Sequence, residues 1–144
     1  MFAPEESGLL GLVSTIAPII AGGNVCVVLA SESKPLTAIT FAEVLNSSDV
    51  PGGVVNILTG NRAEILPHAG SHMDVNGVVY TGANAEEFKQ LQLDGTENIK
   101  RIVHNQTATD ASDKGQGPYA ILDTMEVKTT WHPIERIGPA GSGY

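Results

Sequence analysis

The feature of this sequence that most restricts its fold is a repeated alternation. Short runs rich in Val and Ile trade places with longer segments whose apolar residues recur at helical spacing. Residues 25–30 (VCVVLA) are continuously apolar, as a strand covered on both faces should be. Pro35 opens the segment 36–48, in which Leu36, Ile39, Ala42, Val44 and Leu45 fall on a helical period. A turn at 49–53 leads to a second strand, 54–58, closed by Thr59, Gly60 and Asn61. Residues 62–72 read as a short helix in spite of Pro67 and Gly70. The Asn76-Gly77 turn precedes a strand at 78–80, then an amphipathic helix at 85–93 and a further strand at 99–103. Alternation of this kind is the signature of βαβ units, so the predicted fold is α/β with an open parallel sheet.

The ends of the chain read differently. Residues 5–21 predict a buried helix opened by Glu5, Glu6 and Ser7, because carboxylates and hydroxyls suit free amides at a helix start. Gly22 and Gly23 stop it. One domain therefore spans 1–106. A polar connector, 107–118, follows it. The next stretch, 119–137, reads as a tail strand. Within it, alternation puts Met125, Val127, Thr129 and Trp131 on one face. The last residues, 138–144 (GPAGSGY), read as a frayed terminus.

Charge and composition exclude several classes of partner. A net charge of −8 argues against nucleic acid, which needs clustered Lys and Arg, and against an anionic membrane surface. The apolar run 9–21 is shorter than the roughly 20 residues a bilayer span takes. MFAPEES is acidic where a secretory signal is basic, so the expected location is cytoplasmic. Cys26 is the one cysteine. It lies in an apolar run and reads as a small core hydrophobe. Glu5 and Glu6 could form an acid/base pair, but solvation of a helix start is the simpler role. His68 and His72 share a helical face without a third ligand, so no metal site is expected. His104 and His132 stand alone.

Five strings, in order, carry a resemblance: APIIAGGNVCVVLASESKPLTA, DVPGGVVNILTG, SHMDVNGVVYTG, ENIKRIV and EVKTTW. Together they resemble the aldehyde dehydrogenase superfamily over most of residues 4–134. The resemblance implies that family's cofactor domain, a Rossmann-like sheet incomplete at its N-terminus, plus a C-terminal oligomerisation strand. It resembles most the degenerate, non-catalytic members or domains. In active members the last strand adds to a sheet of a neighbouring subunit, so 125–131 is expected to seek such a partner.

The departures decide what chemistry the resemblance can imply. The family's oxyanion-hole Asn corresponds to Glu6, a carboxylate where donors are needed. Its general base corresponds to Asn105, which cannot take a proton. No Cys follows residue 26 to serve as nucleophile. The lysine that would hold the adenosine ribose is Leu29. Glu32 survives, with two roles open to it: accepting a ribose hydroxyl, or capping the helix that begins at Pro35. Gly60 is what remains of the glycine-rich turn. Gly82 and Ala83 stand at the mouth of the pyrophosphate helix, followed by Glu86 and Glu87, which would compete for its amides.

The implied cofactor is therefore NAD held weakly by Glu32, Gly60, Gly82 and Ala83, with no catalytic residue and no metal. Three functions follow, in this order. The first is an inactive scaffold that assembles with itself or with a full-length aldehyde dehydrogenase through 125–131. The second is a weak NAD-binding module. The third is one part of an NAD-dependent aldehyde oxidoreductase completed by another chain.

Overall fold

A computed structural model describes residues 1–132. Positions 133–137 of the tail reading and the terminus 138–144 lie outside the described residues. In chain order the elements are α1 (Leu10–Ala21), β1 (Cys26–Leu29), α2 (Pro35–Asn46), β2 (Val55–Leu58), α3 (Arg62–Ser71), β3 (Gly77–Tyr80), α4 (Ala85–Asp94), β4 (Arg101–His104) and the single turn α5 (Tyr119–Leu122). Among the described residues no helix is long and apolar enough to cross a membrane.

The strands pair in parallel, β1 with β2 and β3 with β4. The first three residues join the two pairs. Phe2 bridges both Leu29 and Tyr80. Its amide donates to the Val79 carbonyl at 2.9 Å, and the Ala3 amide donates to the Leu29 carbonyl at 2.9 Å. The spatial order is thus β2, β1, residues 1–3, β3, β4, one continuous parallel sheet. The chain runs outward from its centre on one side and then resumes on the other. That reversal is the doubly wound arrangement, whose ligand crevice lies beyond the carboxyl ends of the strands at the switch point.

Two cores form because successive strand residues point to opposite faces. Val28 and Val79 meet Leu12, Ile16, Ile19 and Ala38 of α1 and α2. Leu29, Val78 and Tyr80 meet Phe2, Leu66 and Leu91 beneath α3 and α4. Leu12, Ile16, Val28, Tyr80 and Leu91 are fully buried, and burial of each contributes about 1.5–3 kcal/mol.

The structure revises several local expectations. The first helix begins at Leu10, and no side chain caps it. Ser7 reaches only the Gly11 amide, at 3.4 Å, while Glu5 is drawn elsewhere. Gly11 is required by packing, since a Cβ there would lie 2.1 Å from Pro4 Cγ. The strand predicted at 99–103 starts at Arg101. Ile99 has φ 53° and is 94% exposed, while Lys100 is buried. Its Nζ donates to the carbonyls of His72 (2.7 Å) and Val75 (2.5 Å), tying down the loop after α3. Burial lowers the Lys100 pKa.

The run 25–30 is covered on both faces only at its carboxyl end, where Leu29 is buried. Val25 and Val27 are 66% and 54% exposed, because α3 and α4 cover the centre and the β3–β4 half of their face. At the tail, α5 packs near α1, and 125–132 joins no ladder among the described residues.

Candidate functional site

The carboxyl ends of the strands bring together groups far apart in sequence. Arg62, the first residue of α3, has a side chain only 12% exposed. Its Nη2 donates to the Ala3 carbonyl at 2.6 Å and lies 3.4 Å from Glu5 Oε1. Its Nη1 lies 4.0 Å from Glu87 Oε2. The guanidinium stands over the Tyr80 ring, 5.8 Å from its centroid, a cation–π geometry. One side chain thus links the central segment, α3 and α4 across the switch point.

Glu5 does not open a helix. Its carboxylate accepts from the Ser31 hydroxyl (2.7 Å), the Glu32 amide (3.0 Å), and the hydroxyl and amide of Ser33 (2.8 and 3.2 Å). Burial pushes its pKa up, but these donors outweigh burial and hold the carboxyl down at about 2. Hydrogen bonds to the charged form have this effect.

Tyr80 is the aromatic hub. Its hydroxyl donates to Glu87 Oε2 at 2.6 Å. Phe2, Phe88 and His104 surround its ring. Burial, followed by the bond to Glu87 and that carboxylate's charge, pushes the phenol up to about 12. His104 stacks on Phe88 with centroids 4.5 Å apart. Its Nε2 donates to the Gly82 carbonyl at 2.9 Å. Gly82 must lack a side chain, since a Cβ would lie 2.4 Å from the Tyr80 hydroxyl and 2.8 Å from Arg62 Nη1.

Helix starts that could receive phosphate are filled by the chain's own acceptors. Asn84 Oδ1 accepts from the amides of Glu86 (3.0 Å) and Glu87 (3.4 Å) at the head of α4. The expectation that Glu86 and Glu87 take those amides is corrected: Asn84 holds them, and Glu87 turns to Tyr80 and Arg62. At α3, Asn61 Oδ1 accepts from the Ala63 amide at 2.9 Å, and the Glu32 carboxylate accepts from the Arg62 amide. Glu32 therefore caps α3, not the helix beginning at Pro35. Ahead of that helix Ser31 Oγ accepts from the Lys34 amide at 3.1 Å, and no side chain caps the helix itself.

A cavity of about 350 Å³ opens at the switch point. Its walls include Glu6, Gly82, Ala83 and Asn105. The structure thus unites the two positions matched to an oxyanion donor and a general base with two of the four cofactor candidates. The other two, Glu32 and Gly60, lie beyond the β1–β2 half. A second cavity of about 350 Å³ adjoins it between α1 and the connector, sharing His104 and Asn105. His68 and His72 sit at the end of α3, where His72 Nδ1 accepts from the Asp74 amide at 3.2 Å. Sequence reasoning missed Arg62 and Tyr80. The signal for Arg62 was a charged residue directly after Gly60-Asn61, where the resemblance has a glycine-rich turn.

A pyrophosphate does not fit these residues as they stand. Its usual donors are free amides at a helix start, and here Asn84, Asn61 and Glu32 hold them while two carboxylates flank the guanidinium.

The doubly wound sheet with a crevice at its switch point defines a nucleotide-domain scaffold, and the comparisons name its family. Residues 3–112 match the aldehyde dehydrogenase family, and the chain belongs to that family. It is 35% identical over 99 residues to hydroxyisobutyraldehyde dehydrogenase of Mycolicibacterium austroafricanum, covering 69% of this chain and 19% of that protein. It is 32% identical over 101 residues to omega-crystallin of Enteroctopus dofleini, covering 70% and 20%.

Among solved structures, an indole-3-acetaldehyde dehydrogenase complexed with NAD+ superposes with a TM-score of 0.65 at 34% identity, over 70% of this chain and 20% of that one. The aldehyde dehydrogenase of Bartonella henselae gives 0.65 at 26%, over 70% and 21%. The chain spans about a fifth of the length of the curated relatives it matches.

Proposed function

We propose that this chain is a non-catalytic member of its family that works by assembly, with itself or with a full-length aldehyde dehydrogenase. The observation that carries the reading is the state of the crevice. The helix-start amides that would receive a dinucleotide are already engaged by the chain's own acceptors. Arg62 is shared among Ala3, Glu5 and Glu87, and Asn84 caps α4. Glu6 and Asn105 line the cavity with the carboxylate and amide positions exchanged relative to the family, and no cysteine lines it with them. That one relative is named a crystallin, not a dehydrogenase, is consistent with this scaffold using its fold without turnover.

A second reading, weak NAD binding, draws support from the NAD+-complexed neighbour and from the place of Gly82 and Ala83 in the cavity wall. It requires NAD to displace Asn84 from the α4 amides. A thermal melt with and without millimolar NAD separates the two. A ligand at 100 times its Kd stabilises by about 2.7 kcal/mol, roughly 5–10 °C for a domain of this size. The scaffold reading expects no shift and no NADH from aldehyde and NAD. A saturable rise that Glu32→Ala weakens supports the binding module. Turnover that appears only on mixing with a second chain supports the split oxidoreductase.

A further inference from the structure

The connector after β4 is folded chain with a cavity behind it. Ser14 Oγ of α1 donates to the Ala108 carbonyl. The Asn24 side chain, just beyond α1, donates to the Thr124 carbonyl at 3.1 Å. These two ties hold the connector and α5 against α1. Between them the chain turns back tightly at Gly115, where a Cβ would lie 2.1 Å from the Asp110 carbonyl oxygen. The enclosed space is about 350 Å³, near the lower end of the roughly 300–1,000 Å³ of small-molecule pockets. It is sized for one small molecule.

The cavity has an apolar floor and a charged rim. Ile19 and Val79, both buried, line it together with Pro18 and Val103. Lys114, Tyr119 and Asp123 line it from the connector and α5, and all three are exposed to solvent. Among the described residues the ion pairs join Arg62 to Glu5 and Glu87, and Lys128 to Glu126. Lys114 and Asp123 therefore bring one positive and one negative charge to the same cavity without neutralising each other.

A ligand that suits this wall carries both charges. The chain has a net charge of −8, so a bare carboxylate meets a repulsive field on approach. A bare ammonium is opposed by Lys114. A zwitterion is neutral overall and complements both groups.

We propose that this cavity binds a free α-amino acid with a bulky apolar side chain. Lys114 receives the carboxylate and Asp123 the ammonium, while the side chain lies over Pro18, Ile19, Val79 and Val103. Lys114, Tyr119 and Asp123 all lie beyond residues 3–112, the span of the family match, so the charged rim belongs to the part of the sequence that is this chain's own. The site does not depend on how the chain assembles.

The test is a titration of the full chain, followed by amide NMR, with three probes: L-phenylalanine, phenylpropanoate, which lacks the ammonium, and phenethylamine, which lacks the carboxylate. L-Phenylalanine should shift the Gly115 and Gly117 amides saturably, with a Kd on the order of 1 mM for a ligand of this size. Each analogue should bind about threefold to fivefold more weakly, as loss of a solvent-exposed charge pair implies. Lys114→Gln should weaken L-phenylalanine by the same factor and leave phenethylamine unchanged. Asp123→Asn should weaken L-phenylalanine and leave phenylpropanoate unchanged. Both side chains are exposed, so the variants should keep the natural melt, and Lys114→Arg, which keeps the charge, should bind like the natural chain. Absence of a saturable shift at these amides overturns the site. Equal binding of all three probes, or variants that weaken all three alike, overturns the charge pairing and with it the amino acid. Either result leaves the assembly reading standing, because that reading is decided by the NAD melt and the turnover assay.

Discussion

The two halves of the sheet are built to opposite standards. Around β3 and β4, one face is filled by Phe2, Leu66, Tyr80 and Leu91, and the polar groups above it are matched one to another: Arg62 with two carboxylates, Tyr80 with Glu87, Asn84 with two amides. Around β1 and β2, the α1–α2 face is packed, while the other presents Val25, Val27 and Leu58 to water. The strand centres do not separate the halves, since both are uncharged there, although β4 carries Arg101 and His104 at its ends and β1 and β2 carry no charge. The difference lies in which helices return over which strands.

The largest effect that tests this contrast is expected in the closed half. Tyr80→Ala removes a fully buried ring and its hydroxyl, and should cost about 3–5 kcal/mol in denaturant unfolding. A loss under about 1 kcal/mol would mean that the aromatic hub is not what holds this half together.

An intermediate effect concerns pH. The folded-state pKa of Glu5 is depressed to about 2 from an ordinary 4.5. Its contribution is present above the ordinary value and is lost as pH falls from there toward 2. Stability of the natural chain should therefore fall across that window more steeply than that of Glu5→Gln. Parallel acid profiles would show that the Ser31–Ser33 bonds do not hold the carboxylate in solution. The smallest effect belongs to the open half: Val25→Lys should change monomer stability by no more than about 0.5 kcal/mol. A larger loss would show that this face is covered in the folded chain.

The parts of the fold legible in the sequence were those with a period. β1, β2 and β3 lie within a residue or two of the runs that announce them, and α2, α3 and α4 follow their spacing. The parts that were not legible depend on long-range encounters. Residues 1–3 are too few to carry a period, so only the resemblance, in which a strand ends at this point, announces them, and they become the central strand because β1 and β3 stand on either side. Ile99 is β-branched and apolar, so local propensity favours a strand. The anchoring of Lys100 on the carbonyls of His72 and Val75 forces it into a left-handed turn instead. Glu5 looked like a helix opener because its competing donors, 26 to 28 residues away, are invisible to a local reading. The candidate site was legible in part for the same reason: Gly82 and Ala83 were found by motif, whereas Arg62 and Tyr80 acquire their roles from the switch point.

The seam at residues 1–3 also has a kinetic consequence. The Thr81 hydroxyl bonds the Phe2 carbonyl at 2.7 Å across 79 residues of chain, and closing a loop of that length is entropically slower than forming either strand pair alone. Each half can gather locally, residues 1–3 with β1 and β2 on one side and β3 with β4 on the other, before Phe2 meets Tyr80. The crevice, with Arg62 joined to Ala3, Glu5 and Glu87, is then the last region to acquire its native contacts in refolding. It is also the first place where native-state hydrogen exchange should detect the two halves parting.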